Sequence, residues 1–318
     1  MAYDYRQGGF AEAFVKTKGI SEKNLRGLEQ VLNWEALERI VAPVERSPTG
    51  RPAYPILVMI KLLLLQQWYG LSDPALEEAV DDRLSFRRFA GIPLDKAVPD
   101  HATIWRFREA LGQEGLGEKL FLEVNRQLEA RNLFVKQGTL VDATIVEAAV
   151  NPPPYEEGQV SELDPDASFT RKNDGTYFGY KGHVGVDQGS VLIRRQMVTS
   201  AGVSDALVFA DVITGDESFV CADKAYGTNI NRRMLEEAGI EDRLMYKAVR
   251  DHPLTSWQEW FNKSVAPIRA AVERPFAYMK QIMGFRRCRY RGLRRNACAF
   301  DLVCMAYNIH RARSLLAA

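Results

Sequence analysis

Hydrophobic and polar positions follow two different periods along this chain, changing near residue 135. Before that point the pattern is helical. Leu57–Trp68 is apolar apart from Lys61 and the pair Gln66-Gln67, which predicts a buried helix. Ser72-Asp-Pro-Ala-Leu-Glu-Glu-Ala-Val predicts a helix start, with Ser72 or Asp73 as cap and Pro74 at the first helical position. Val98-Pro-Asp100-His-Ala-Thr103-Ile-Trp105 opens another helix, capped by Asp100 or Thr103. Between them, Arg87-Arg88-Phe-Ala-Gly-Ile-Pro reads as a turn. Two helices joined by a turn are compatible with a helix-turn-helix reader of a DNA groove. Arg106 and Arg108 are then candidate DNA contacts, with solvated helix faces as the alternative.

Beyond residue 135 short β-rich runs appear at 139–146, 177–187, 191–199, 218–223 and 243–248. Helical stretches at about 204–215, 228–238 and 261–281 alternate with the later ones. The pattern predicts an α/β protein: a helical domain over 1–135, then a mixed sheet flanked by helices over 136–318. Residues 150–176, with Pro152-Pro-Pro154 and Asn173-Asp174-Gly175, read as a loop near the site.

A chain of 318 residues, 46% hydrophobic and 26% charged, has the composition of a soluble globular protein of two domains. The start, Met1-Ala-Tyr-Asp-Tyr-Arg, is polar and predicts no signal peptide, and Ile56–Leu65 is too short to span a bilayer. The four cysteines lack paired spacing, which points to a reducing, cytoplasmic setting. A zinc site of Cys298, Cys304 and His310 is the alternative to buried thiols on a helix. Net charge is only +1, but it is unevenly spread. Residues 151–166 hold five acids (Glu156, Glu157, Glu162, Asp164, Asp166) and no Lys or Arg, whereas 269–295 hold nine Lys or Arg and one acid, Glu273. A near-neutral total thus conceals a phosphate-binding stretch.

Three carboxylates carry the candidate chemistry. Asp142 ends the apolar run Gly138-Thr-Leu-Val, Asp223 ends Ser218-Phe-Val-Cys-Ala, and Glu273 lies in a helical segment that opens the basic stretch. Singly, each reads as a turn, cap or surface-pair acid. Together they suit two Mg²⁺ ions about 3.5–4 Å apart, placed for in-line attack on a phosphodiester.

The second half resembles the catalytic domain of DDE transposases of bacterial insertion sequences, in their group-four/group-five branch. The matching segments are Val141-Asp142-Ala-Thr-Ile, Asp164-Pro-Asp-Ala-Ser-Phe-Thr-Arg-Lys172, Tyr177-Phe-Gly-Tyr-Lys181-Gly-His183-Val-Gly-Val-Asp187, Ala222-Asp223-Lys-Ala-Tyr226, Glu273 through Lys280, and Gly284-Phe-Arg-Arg-Cys-Arg-Tyr-Arg-Gly-Leu. The first half is similar to the family's helical N-terminal region, from Gly50-Arg-Pro to Phe107-Arg-Glu. The resemblance implies an RNase H-like fold for residues 136–318 and a DNA-binding and dimerisation domain over 1–135. It implies Asp142, Asp223 and Glu273 as catalytic metal ligands, with Mn²⁺ able to replace Mg²⁺. Its substrates would be double-stranded DNA, both terminal inverted repeats and target. A homodimer on DNA, a bacterial nucleoid-associated location and no membrane partner complete the expectation. The branch signature Tyr-x₂-Arg-x₃-Glu-x₆-Lys is met by Arg269, Glu273 and Lys280, but Ala266 stands at the tyrosine position.

On one straight helix, residues 269, 273, 276 and 280 fall within about 60° of one face, so Arg269 and Lys280 would flank Glu273. Pro275 predicts a kink one turn upstream. Lys181 and His183 share one side of an extended strand, with Asp187 further along, and the resemblance brings Lys181 or His183 to DNA phosphate. A solvent-facing polar row is the alternative. Trp257 and Trp260 either stack on a base or pack in the core. Arg286, Arg287, Arg289, Arg291, Arg294 and Arg295 are candidate phosphate contacts. The reading is therefore a transposase that cuts at the ends of its element and joins them to target DNA. The alternatives are an RNase H-like nuclease without strand transfer, a non-catalytic transposase-derived binding protein and, last, a metal-dependent phosphatase of small molecules.

Overall fold

The computed structural model describes residues 19–43, 53–154, 160–172, 175–250 and 252–317. The polar start, Gly50-Arg-Pro, Glu156, Glu157 and Asn173-Asp174, on which parts of the sequence reading rested, lie outside the described residues.

Seven helices come first among the described residues: α1 (Ile20–Glu29), α2 (Trp34–Val41), α3 (Ile56–Trp68), α4 (Asp73–Asp82), α5 (Leu84–Ala90), α6 (His101–Gln113) and α7 (Leu116–Glu129). The apolar run 57–68 becomes the buried helix α3, and two of its polar breaks find partners. Lys61 Nζ reaches Glu29 Oε1 at 2.5 Å, and Gln66 Nε2 donates to Asp73 Oδ1 at 2.6 Å. Ser72 caps α4 by accepting from Ala75 N, and Asp100 caps α6 by accepting from Thr103 N at 2.6 Å.

The expected turn at 87–93 is corrected in its first half. Arg87 and Arg88 are the last turn of α5, and the chain reverses only at Gly91, whose φ of 77° is left-handed. Phe86 and Phe89 are buried, and that burial holds α5 in place against the turn signal.

Six strands follow among the described residues: β1 (Gly138–Glu147), β2 (Ser168–Lys172), β3 (Gly175–Asp187), β4 (Ile193–Ser200), β5 (Phe219–Ala222) and β6 (Glu241–Leu244). β3 pairs antiparallel with β1, β2 and β4 along its length, while β5 runs parallel to both β1 and β6. This is the mixed sheet the sequence predicts. The helices that follow among the described residues are α8 (Asn229–Glu237), α9 (Ser256–Arg269), α10 (Glu273–Gln281) and α11 (Leu293–Leu316). Two expectations change in detail. The stretch near 204–215 is a 3-10 helix, Asp205–Val212, and the loop 150–176 contains β2.

The apolar core on one sheet face joins Val141, Val208, Phe209, Val220, Ala222 and Tyr226. Gly185 is required there, because a side chain would run into the carbonyl oxygen of Val212.

Contacts divide the chain into two units, residues up to 130 with 301 onward, and 131–300. The end of α11 joins the helical unit through hydrogen bonds. Trp68 Nε1 donates to Ala306 O at 2.9 Å, Asn308 Nδ2 to Asn125 Oδ1 at 2.7 Å, and Arg313 Nη2 to Asn24 Oδ1 at 2.9 Å. Among the described residues no helix is long and apolar enough to cross a membrane.

Candidate functional site

Strand register places the two aspartates. The parallel pairing of β1 and β5 ends at Val141↔Ala222, so Asp142 and Asp223 are the next residues on two adjacent strands, about 4.8 Å apart. Val141 and Ala222 point into the apolar core, and alternation turns both aspartates to the other face. Asp142 Oδ1 accepts from Ala143 N at 2.8 Å, and Asp223 Oδ1 accepts from Ala225 N at 2.8 Å. Burial pushes the Asp142 carboxyl up to about 6. That net rise already includes a smaller push from the charge of Asp223 and the opposition of the Ala143 N–H, Arg269 and Lys172.

The third carboxylate arrives through a broken helix. α9 ends at Arg269, a 3-10 turn covers Ala270–Val272, and α10 begins at Glu273. The break lies one turn upstream of Pro275, which has no N–H to give to the carbonyl four residues earlier. Across it, Arg269 spans two acids: Nη1 donates to Asp142 Oδ2 at 2.9 Å, and Nη2 reaches Glu273 Oε1 at 3.5 Å. Lys280 Nζ donates to the carbonyl oxygen of Ile145 at 3.1 Å. Burial lowers the Lys280 pKa, and Lys172 and Arg286 lower it further.

Among the described residues no three His, Cys, Asp or Glu side chains are gathered closely enough to hold a metal ion as they stand. The guanidinium of Arg269 lies between Asp142 and Glu273, and the Glu273 side chain is 64% exposed. The donor chemistry nonetheless fits a divalent ion that prefers oxygen. Asp142 and Asp223 share one sheet face, burial makes Asp142 costly to ionise, and the Arg269 cation bridges Asp142 and Glu273. The zinc alternative finds no such support, since Cys298 and Cys304 are buried free thiols.

Several expected DNA contacts lie elsewhere. Lys181 pairs with Ile145 and His183 with Ala143, so both stand on the sheet face opposite Asp142. Lys181 Nζ is taken up by Asp205 Oδ1 and Val203 O, each at 2.8 Å. His183 is fully buried, with Nε2 at 2.9 Å from Thr199 Oγ1, and burial holds its pKa well below the usual range, leaving it neutral. Neither Lys181 nor His183 is placed to meet phosphate. Arg108 is also corrected: it is buried and makes a two-pronged pair with Asp73 at 2.8 and 2.7 Å. Arg106 is exposed on α6. Asp187 is a structural acid that accepts from the backbone of Val135, Lys136 and Ser190. Trp257 and Trp260 are 56% and 62% exposed, which overturns core packing; Trp257 stacks on Phe261.

The six arginines are all exposed. Arg287 anchors its segment by donating to the carbonyls of Ala148 and Ala149, and Cys288 N donates to Glu147 O at 2.7 Å. Asp164 and Asp166, read from sequence as part of an acidic cluster and of a segment resembling the family, accept from Gly292 N at 3.0 Å and Leu293 N at 2.7 Å. They thereby cap the start of α11 from a distant loop. No local spacing announces that role, because the partners are more than a hundred residues apart. Lys172 was likewise missed, and only the β2–β3 hairpin carries its charge to Asp142 and Lys280.

Residues 133–309 match the family model of the transposase DDE domain, and residues 14–110 match that of a transposase domain (DUF772). No solved structure matches the chain.

Proposed function

Because the chain belongs to the transposase DDE-domain family, and is thus a DNA transposase of a kind that uses divalent metal ions, we propose that Asp142, Asp223 and Glu273 are its catalytic metal ligands. The observation that supports this reading is Asp142 in mid-β1 beside Asp223, which directly follows the end of the adjacent parallel strand β5, with Arg269 tying Asp142 to Glu273. The metal is Mg²⁺, as two ions, with Mn²⁺ as a substitute. Bound there, the ions supply Lewis-acid stabilisation of phosphoryl oxygens and an activated attacking oxygen.

The residues of the chain do the rest. The three carboxylates ligate as anions, so their amides fail as ligands. Hydrolysis of a phosphodiester at the element's end adds water across the P–O bond and frees a 3′-hydroxyl. That hydroxyl then attacks a target phosphodiester, forming one P–O bond as another breaks. Arg269 and Lys280 steady the phosphates beside Glu273. The exposed arginines from Arg286 to Arg295 supply affinity and position more than sequence readout. Residues 1–135 bind DNA, with Arg106 as a contact, and pair two copies so that both terminal repeats are held together. The group-four/group-five branch and a nucleoid-associated location belong to the same reading.

The test uses a plasmid carrying the gene with its native flanks. Wild type cuts at both flanks only with Mg²⁺, while Asp223→Asn and Glu273→Gln bind the ends but do not cut. Cutting by either variant, or loss of binding together with cutting, overturns the assignment.

A further inference from the structure

A cavity of about 400 Å³ opens beside the proposed catalytic carboxylates. Thr144 lies in its wall, two residues beyond Asp142 on the same face of β1, about 6.6 Å along the strand. Lys172 from the end of β2, Lys280 from α10 and Arg286 from the arginine segment also line it. So do two rings, Tyr177 of β3 and Phe276 of α10. The size suits one small ligand and excludes a whole duplex.

The three cations have no carboxylate partner at ion-pair distance among the described residues. Lys280 Nζ is spent on a carbonyl oxygen, Arg286 Nε donates to Lys280 O at 3.2 Å, and Lys172 is exposed. Glu147, the acid in the wall, acts on Lys280 only through space. Like charges gathered this way repel one another until an anion joins them. Thr144 thus sets this cluster only two residues of β1 beyond Asp142, on the same sheet face. We infer that the pocket receives the nucleotide adjoining the scissile phosphate. Its phosphate lies between Lys172, Lys280 and Arg286, and its sugar lies against Tyr177 and Phe276. The contact is to the backbone, so it positions the strand without reading sequence. The inference rests on the assignment of the catalytic carboxylates made above.

The experiment is a cycle between one side chain and one phosphate. End DNA is bound by Lys172→Gln and by wild type in EDTA over a range of salt, with and without a neutral methylphosphonate walked through the positions flanking the cut. Lys172→Gln weakens binding of unmodified DNA about tenfold. It also lowers the log–log salt slope by about 0.9. At the adjoining phosphate the methylphosphonate costs wild type at least as much, and adding Lys172→Gln to it loses no more than the methylphosphonate alone. Tyr177→Ala weakens binding with the salt slope unchanged. The pocket assignment is overturned if the two losses add in full at every position, or if Lys172→Gln binds like wild type. Cleavage by Asp223→Asn, measured alongside, would instead sink the catalytic reading itself.

Discussion

Replacing Asp142 with asparagine should make the metal-free protein more stable while abolishing cleavage. The carboxyl is pushed from 3.8 to about 6, chiefly by burial, with the charge of Asp223 adding to it. About two pKa units at ~1.4 kcal/mol each mean that keeping Asp142 ionised in the fold costs about 3 kcal/mol at neutral pH. The replacement amide would carry no charge, and its oxygen could still accept from the Ala143 N–H. The loss of the charged partner of Arg269 is already contained in that figure, because its charge is among those opposing the rise. The native state therefore holds the Asp142 proton more tightly than the unfolded chain does. Wild type loses stability as pH rises through the window from 3.8 to about 6, and the variant does not. Urea unfolding of both proteins without metal, from pH 4 to pH 8, measures the difference. The gap should widen in favour of Asp142→Asn by about 2.5 kcal/mol across that range and then level off. A gap that stays constant with pH, or a less stable variant at pH 8, would refute the reasoning. Added Mg²⁺ should narrow the gap, because it binds only the folded wild-type site.

Other substitutions separate structural from DNA-contacting charge. Arg108→Ala breaks a buried pair with Asp73 and should cost about 3–5 kcal/mol in thermal unfolding. Arg106→Ala should leave stability within about 0.5 kcal/mol and reduce the salt slope of DNA binding; unchanged binding would remove Arg106 from the interface. Gly185→Ala drives a methyl group into the Val212 carbonyl oxygen and should cost about 3 kcal/mol in urea unfolding, whereas a variant as stable as wild type would show that β3 can shift there.

Local pattern was enough for much of this molecule. The buried run 57–68, the capped starts of α4 and α6 and the position of Asp223 just past a strand all follow from the side-chain period and from capping residues, which act over a few positions; Asp142, read as the end of its apolar run, instead lies in the middle of β1. The break upstream of Pro275 was also legible, because a missing N–H is a property of the residue itself.

What only the tertiary structure decided is which side each charge faces and what it meets. Lys181 and His183 alternate correctly along β3, yet alternation says only that they share a face. The pairing register with β1 turned that face away from Asp142. Arg106 and Arg108 differ by two positions on one helix, and the packing of α4 on α6 buried one against Asp73 and left the other in water. Asp164 and Asp166 became helix caps for a segment 127 or more residues further on, and Lys172 joined the site through a hairpin. Sequence spacing records neighbours along the chain, whereas an ion pair or a pocket depends on distances in space that only the folded register sets.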